Sequence, residues 1–157
     1  MGDKLSRCGV ATAAIYFPGF HHSVENSRFW GENWTEWANV PTNLIYDAVQ
    51  KAPIRHPRSY YDIGDGGQTL RKQAQQARQA GLKAFVFYHY WFGLGRTVLS
   101  KPLEDTLLGG QTLGISFFFS WANEPWSRRW DGADDSETLI AQNYGTTSDF
   151  EAHFDYL

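Results

Sequence analysis

Apolar positions along this chain fall into three short unbroken runs, with stretches of helical spacing between them. Residues 10–17 (VATAAIYF) are almost wholly apolar and stop at Pro18-Gly19, so they read as a buried strand. A long, irregular, aromatic-rich stretch follows from residue 20 to about residue 65. Over residues 68–80, Leu70, Ala74 and Ala77 recur at i, i+4, i+7, with polar residues opposite and Gly81 as a stop, which predicts an amphipathic helix. Residues 82–90 (LKAFVFYHY) then read as a parallel strand covered on both faces. Ser100 suits the cap of a helix over residues 101–108, with Pro102 in its first turn and Gly109-Gly110 ending it. Residues 115–121 make the third strand, and a shorter helix is expected over residues 136–143. Ser148-Asp149-Phe150-Glu151 has the form of a capping box, and the helix it opens carries Phe150, Phe154 and Leu157 on one face.

Strand and helix alternate, which predicts an α/β fold with a parallel sheet. The chemically distinctive residues follow the strands: His21 and a Trp cluster after the first, His89 to Phe92 at the end of the second, Trp121 to Glu124 at the end of the third. Active sites of (β/α)8 TIM-type barrels are built at that end of the strands. A full barrel needs about 200 to 250 residues, and this chain of 157 supplies roughly three or four of the eight units. The expectation is the N-terminal portion of such a barrel: residues 1–9 an extension, residues 10–157 a partial barrel domain cut short at its C-terminus, within a freshly capped helix. A small open α/β sheet is the alternative, and its apolar edge would need a partner.

The seven Trp residues are clustered. Trp30, Trp34 and Trp37 are spaced i, i+4, i+7, which suits one buried helical face as well as a site. Trp91 stands in a second group. Trp121, Trp126 and Trp130 form the third, interleaved with Asn123, Glu124, Arg128, Arg129 and Asp131. Flat rings for C–H faces beside carboxylates and guanidinium forks for hydroxyls are the parts of a sugar site.

Glycosidic-bond chemistry usually uses two carboxyl groups. Glu124 is the first choice for a catalytic acid, because Asn123 beside it can bond a ring hydroxyl and Trp121 or Trp126 can wall it from water. Asp131, Glu25 and Glu36 are the other candidates. A salt bridge from Glu124 to Arg128 or Arg129 is the competing reading. Those two arginines suit a phosphate or sugar acid, or a pairing with Asp131 that fixes the loop. Strand alternation sends His89 to the opposite face from Tyr88 and Tyr90, where it either contacts substrate or is a satisfied core histidine.

Composition narrows the classes. A net charge of −3 argues against nucleic acid as a partner. No apolar stretch approaches the roughly 20 residues of a membrane helix, and the start lacks the order of a secretion signal. One cysteine, Cys8, leaves no intrachain disulfide, so a cytoplasmic protein is expected. His21-His22, His56 and His153 have no metal-ligand spacing; no metal and no cofactor are expected. Short matches to a myristoylation pattern at Gly2 and a glycosylation acceptor at Asn33 have no supporting context.

Tyr16-Phe17-Pro18-Gly19-Phe20-His21, Glu25-Asn26, Phe29-Trp30-Gly31 and Trp34 through Val40 resemble the opening of the WbsX-like family, a glycoside hydrolase family 99-like domain. Tyr60-Tyr61-Asp62, Tyr88 through Phe92 and Trp121 through Gly132 continue the resemblance in order, across about residues 12 to 157. It implies a (β/α)8 barrel acting on glycans of cell-surface polysaccharide or lipopolysaccharide O-antigen, by transfer or hydrolysis. It also implies substrate-binding roles for Tyr16, His21, Glu36, Trp37, His89, Tyr90, Trp91, Trp121, Asn123, Trp126, Arg128, Arg129, Trp130 and Asp131. The family's catalytic glutamate pair lies later in the barrel, which points Glu124 toward binding. The chain departs from the family at Gly19, commonly Gln, and at Asn33-Trp34, commonly Gly-Phe. The implied partner is a glycan, with self-association or a completing C-terminal half as the structural alternative.

Overall fold

The computed structural model describes residues 10–39, 60–128 and 137–157. Strand β1 (Ala13–Tyr16) is followed by helix α1 (Val24–Trp30), a 3-10 turn (Glu36–Asn39) and helix α2 (Gln68–Gln79). Then come β2 (Ala84–Trp91), β3 (Thr97–Val98), a short helix α3 (Lys101–Leu103) running into a π turn (Glu104–Leu108), and β4 (Ser116–Trp121). Strands β5 (Trp126–Ser127) and β6 (Thr138–Ile140) and helix α4 (Thr147–Tyr156) complete the described elements.

The sheet is mixed α/β in character, with β1, β2 and β4 side by side and parallel. The register aligns Ile15, Val86 and Phe118 in one row and Tyr16, Phe87 and Phe119 in the next. Because side chains alternate across a strand, these rows face opposite ways. The face bearing Phe85 and Phe87 is sealed by Leu70, Ala74 and Ala77 of α2, with Ala14, Tyr16 and Phe119 alongside. The i, i+4, i+7 spacing of α2 is what presents those three residues together. Ile15 and Phe118 on the other face are 70% and 60% exposed. The strand expected to be covered on both faces is therefore covered fully on one only.

Four local expectations change. Over residues 136–143 a strand, β6, replaces the helix; β-branched Thr138 and Ile140 pair antiparallel with β5, and that ladder outweighs a weak helical pattern. The helix after Ser100 widens into a π turn, and the Ser100 side chain makes no cap bond. The Thr106 hydroxyl instead donates to the Pro102 carbonyl at 2.5 Å, a back-bond of the kind that distorts a helix. Helix α4 is capped two residues earlier than expected: Thr146 is the cap, and its backbone N–H donates to Asp149 Oδ2 at 2.9 Å. Finally, the face of α4 bearing Phe150, Phe154 and Leu157 is exposed, and the buried residue of that helix is His153.

Candidate functional site

A cavity of about 830 Å3 opens where the three parallel strands end. Phe17 directly follows β1, Tyr88 and Tyr90 project from β2, and the segment from Trp121 to Ser127 follows β4. Trp30, Trp34 and Glu36 come from α1 and the turn after it.

Local sequence explains how that turn is built. Ser23 Oγ accepts from Asn26 N–H at 3.0 Å and caps α1, while Gly31, at φ 106°, ends it. Asn33 adopts a left-handed φ of 61°, a conformation Asn tolerates better than most residues, and the chain folds back. Trp34 then stacks on Trp30 with ring centres 5.0 Å apart and planes 22° from parallel. Trp126, from β5, meets Trp30 edge-on at 5.2 Å, and Phe29 meets Trp126 edge-on at 6.0 Å. Phe92, Val98, Leu99 and Ile140 are buried at the core of this packing, with Phe17, Tyr90 and Trp126 against it.

Gly19 is what admits Glu36. A Cβ at Gly19 would lie 2.6 Å from Glu36 Cγ and collide with the Phe17 ring, so a side chain there would push the carboxylate out. Glu36 in turn acts on Tyr90, whose phenol is raised well above its ordinary range by burial, by Tyr88 and by the Glu36 charge. A Tyr held neutral in this way keeps an O–H to donate to a ligand. Asn123, Glu124 and Pro125 are exposed where they line the cavity, and Tyr144 O–H donates to the Asn123 carbonyl at 2.9 Å, tying this lining to the segment before α4.

Among the residues singled out from sequence, the cavity brings together Glu36, Tyr90, Trp121, Asn123, Glu124 and Trp126. Trp121 borders it, but its ring packs on Tyr144, Phe150 and His153, and its Nε1 donates to the Trp91 carbonyl at 3.0 Å. Tyr16 lies on the α2 side, where its O–H donates to Gln73 Oε1 at 2.5 Å. Burial, then Tyr61 and Asp65, raises that phenol strongly.

His89 and Trp91 share the parity of Phe85 and Phe87 and lie behind the sheet. His89 is 2% exposed and its Nε2 is 2.8 Å from His153 Nε2, while Trp91 stacks on His153 at 4.7 Å and 5°. Burial, then the His153 charge, pushes His89 down to about 4. His21 is also buried, its Nδ1 bonded to the Pro18 carbonyl at 2.7 Å, and burial lowers its pKa. Trp37 turns away from the cavity and donates from Nε1 to the Tyr61 carbonyl at 2.8 Å. Arg128 donates from Nε to Glu137 Oε2 at 2.9 Å. Arg129, Trp130 and Asp131 lie outside the described residues.

Phe17, Tyr88 and Ser127 line the cavity without having been chosen from sequence, and Trp30 and Trp34, whose spacing had left packing and a site role open, line it too. Strand parity carried a signal for Tyr88, which shares the face of Tyr90. Among the described residues no group of three His, Cys, Asp or Glu side chains is placed to hold a metal ion, and no helix is long and apolar enough to cross a membrane.

The fold and cavity define an α/β protein with a parallel sheet and an aromatic, carboxylate-bearing cavity at its strand ends. The family described as Glycosyltransferase WbsX matches this chain over residues 12–157, and the chain belongs to that family. Two curated relatives, each named uncharacterized protein WxcX, come from Xanthomonas campestris pv. campestris, strains B100 and ATCC 33913. Each is 37% identical over 143 residues, which cover 89% of this chain and 20% of the relative. The chain thus spans about a fifth of the length of the relatives it matches. No solved structure matches it.

Proposed function

We propose that this chain is the N-terminal part of a family 99-like (β/α)8 barrel, a carbohydrate-active domain that transfers or hydrolyses glycosidic bonds. Its substrates would be glycans of cell-surface polysaccharide or lipopolysaccharide O-antigen, handled in the cytoplasm. The observation that carries this is the cavity: Trp30, Trp34 and Trp126 offer ring faces, and Glu36, Tyr90, Asn123 and Glu124 offer hydroxyl-binding groups, at the ends of three parallel strands. Membership of a glycosyltransferase family supports the same chemistry.

In this reading Ile15, Val86 and Phe118 face the barrel interior, and further βα units cover them. Glu124 binds or protonates a glycosidic oxygen, and Glu36, which lines the same cavity, is a second carboxylate.

The test is turnover of oligosaccharide by the full protein carrying Glu124→Gln. A loss of kcat or a rise in KM by about a hundredfold supports a role in the site; unchanged kinetics removes Glu124 from it. The exposed Ile15 and Phe118 favour a second reading for the chain by itself, a sugar-binding module completed by self-association. A concentration-dependent mass, with sugar bound and no product released, would select that reading.

A further inference from the structure

Trp121, Ala122 and Asn123 line the cavity, yet each is held by groups outside that lining. Ala122 N–H donates to the His89 carbonyl at 2.9 Å. The Trp121 ring packs edge-on against Tyr144, Phe150 and His153, and Tyr144 O–H donates to the Asn123 carbonyl at 2.9 Å. Helix α4 carries Phe150 and His153, and Tyr144 shortly precedes it. The helix is itself fixed to the end of β2 at two points. In its first turn Asp149 Oδ1 accepts from Leu94 N–H at 3.1 Å. In its last turn His153 Nε2 meets His89 Nε2 at 2.8 Å, with the His153 ring stacked on Trp91. Trp91 gives this cluster a flat face and a carbonyl that accepts from Trp121 Nε1, both of which any aromatic residue there would keep.

We propose that the His89–His153 contact positions the cavity lining from behind the sheet: while the two rings share a hydrogen bond, α4 holds Trp121, Ala122 and Asn123 in place, and protons taken up by the pair loosen them and lower affinity for the ligand. That the ligand is a sugar rests on the reading above; the positioning does not. A first proton places a charge among Trp91, Trp121 and Phe119, where burial already disfavours it. A second removes the acceptor and sets two donors face to face, so the bond is lost. In a loosened form with its rings in water the pair takes protons near the ordinary 6.5, while His89 in the clasped form does so only near 4; falling pH therefore favours the loosened form. Two other titratable groups of the cluster keep their charge state from pH 7 to 5. Tyr156, stacked on His89, is raised by burial above the ordinary phenol range and donates its O–H to Glu104 of the π turn at 2.9 Å. Asp149 is held below the usual carboxylate range by backbone N–H bonds from Thr146 and Leu94.

Heteronuclear NMR of the full chain from pH 7 to 5, in half-unit steps, would follow the His89 and His153 rings and the Asn123 amide together. The Asn123 amide should shift with the midpoint of the rings. Two variants should show a clearly smaller Asn123 shift: the double variant His89→Phe with His153→Phe, and His153→Gln, which keeps a hydrogen-bonding end opposite His89 but takes no proton. Methyl glycosides of glucose, galactose and mannose would be titrated in the same spectra. Whichever binds should bind at least about threefold more weakly at pH 5 than at pH 7 in the wild type, with a clearly smaller change in the variants. Glu36, Glu124, Glu104 and His21 are unaltered in the variants, so their own titration cancels in the comparison. An Asn123 shift or an affinity loss as large in a folded variant as in the wild type would overturn the proposal. So would an Asn123 amide that does not follow the rings. If no glycoside binds, the sugar-site reading fails, and the Asn123 shift alone decides the positioning.

Discussion

Acidification should destabilise this protein between pH 7 and pH 5 through one buried pair. His89 and His153 meet Nε2 to Nε2 at 2.8 Å, packed among Phe119, Trp91, Trp121 and Tyr156. One ring must donate and the other accept, so at least one is neutral, and burial, which lowers the pKa of both, favours the neutral form of each. The remaining titratable neighbours, Tyr156 and the Glu104 that accepts from its O–H at 2.9 Å, leave a phenol that burial keeps protonated across this range. His89 ionises near 4 when folded against an ordinary 6.5, so the unfolded chain binds more protons in that window and stability must fall as pH drops. Linkage over those two values gives a cost on the order of 2 kcal/mol at pH 5 and very little at pH 7. Burial lowers His153 as well, which adds in the same direction. Urea unfolding followed by Trp fluorescence at half-unit steps of pH would measure the slope. The same series on a His89→Phe, His153→Phe double variant should show a clearly smaller slope from pH 7 to 5, with the remainder left to buried His21. An equal slope in both proteins would refute the assignment.

Leu70→Ala should cost about 2–5 kcal/mol, because Leu70 is fully buried where α2 meets Phe85 and Phe87; urea midpoints check it. Gly19→Val should displace Glu36 and weaken sugar binding at least about tenfold while secondary structure by circular dichroism is retained; unaltered affinity would mean Glu36 is not needed. Ser127→Ala should leave stability unchanged or raise it by about 1 kcal/mol, since the buried Ser127 hydroxyl has no hydrogen-bond partner among the described residues; a clear loss in thermal melting would contradict this.

Periodicity made the scaffold legible. The α2 stripe of Leu70, Ala74 and Ala77 and the apolar runs around β1, β2 and β4 needed only local pattern, and their parallel order followed from alternation. What pattern could not resolve was competition between neighbours of similar strength. Residues Thr138–Ile140 became a strand because β5 lay within pairing reach, a fact of tertiary structure. The site was half legible for a related reason. Charged and aromatic residues after β4 announced themselves, but which aromatics face the cavity depends on strand parity and on one turn. Parity sends Tyr88 and Tyr90 forward and His89 and Trp91 back. The left-handed Asn33 turns Trp34 onto Trp30 and leaves Trp37 to pack on Phe20, Tyr60 and Tyr61.

That division of the tryptophans gives the most direct test of the central claim. Oligosaccharide-dependent fluorescence would be compared in Trp126→Phe, which alters the cavity wall, and in Trp91→Phe, which alters the packing behind the sheet. A sugar site at the strand ends predicts that Trp91→Phe keeps the saturable response and its affinity, while Trp126→Phe loses most of both. A response that survives Trp126→Phe and vanishes with Trp91→Phe would put the ligand elsewhere and contradict the account.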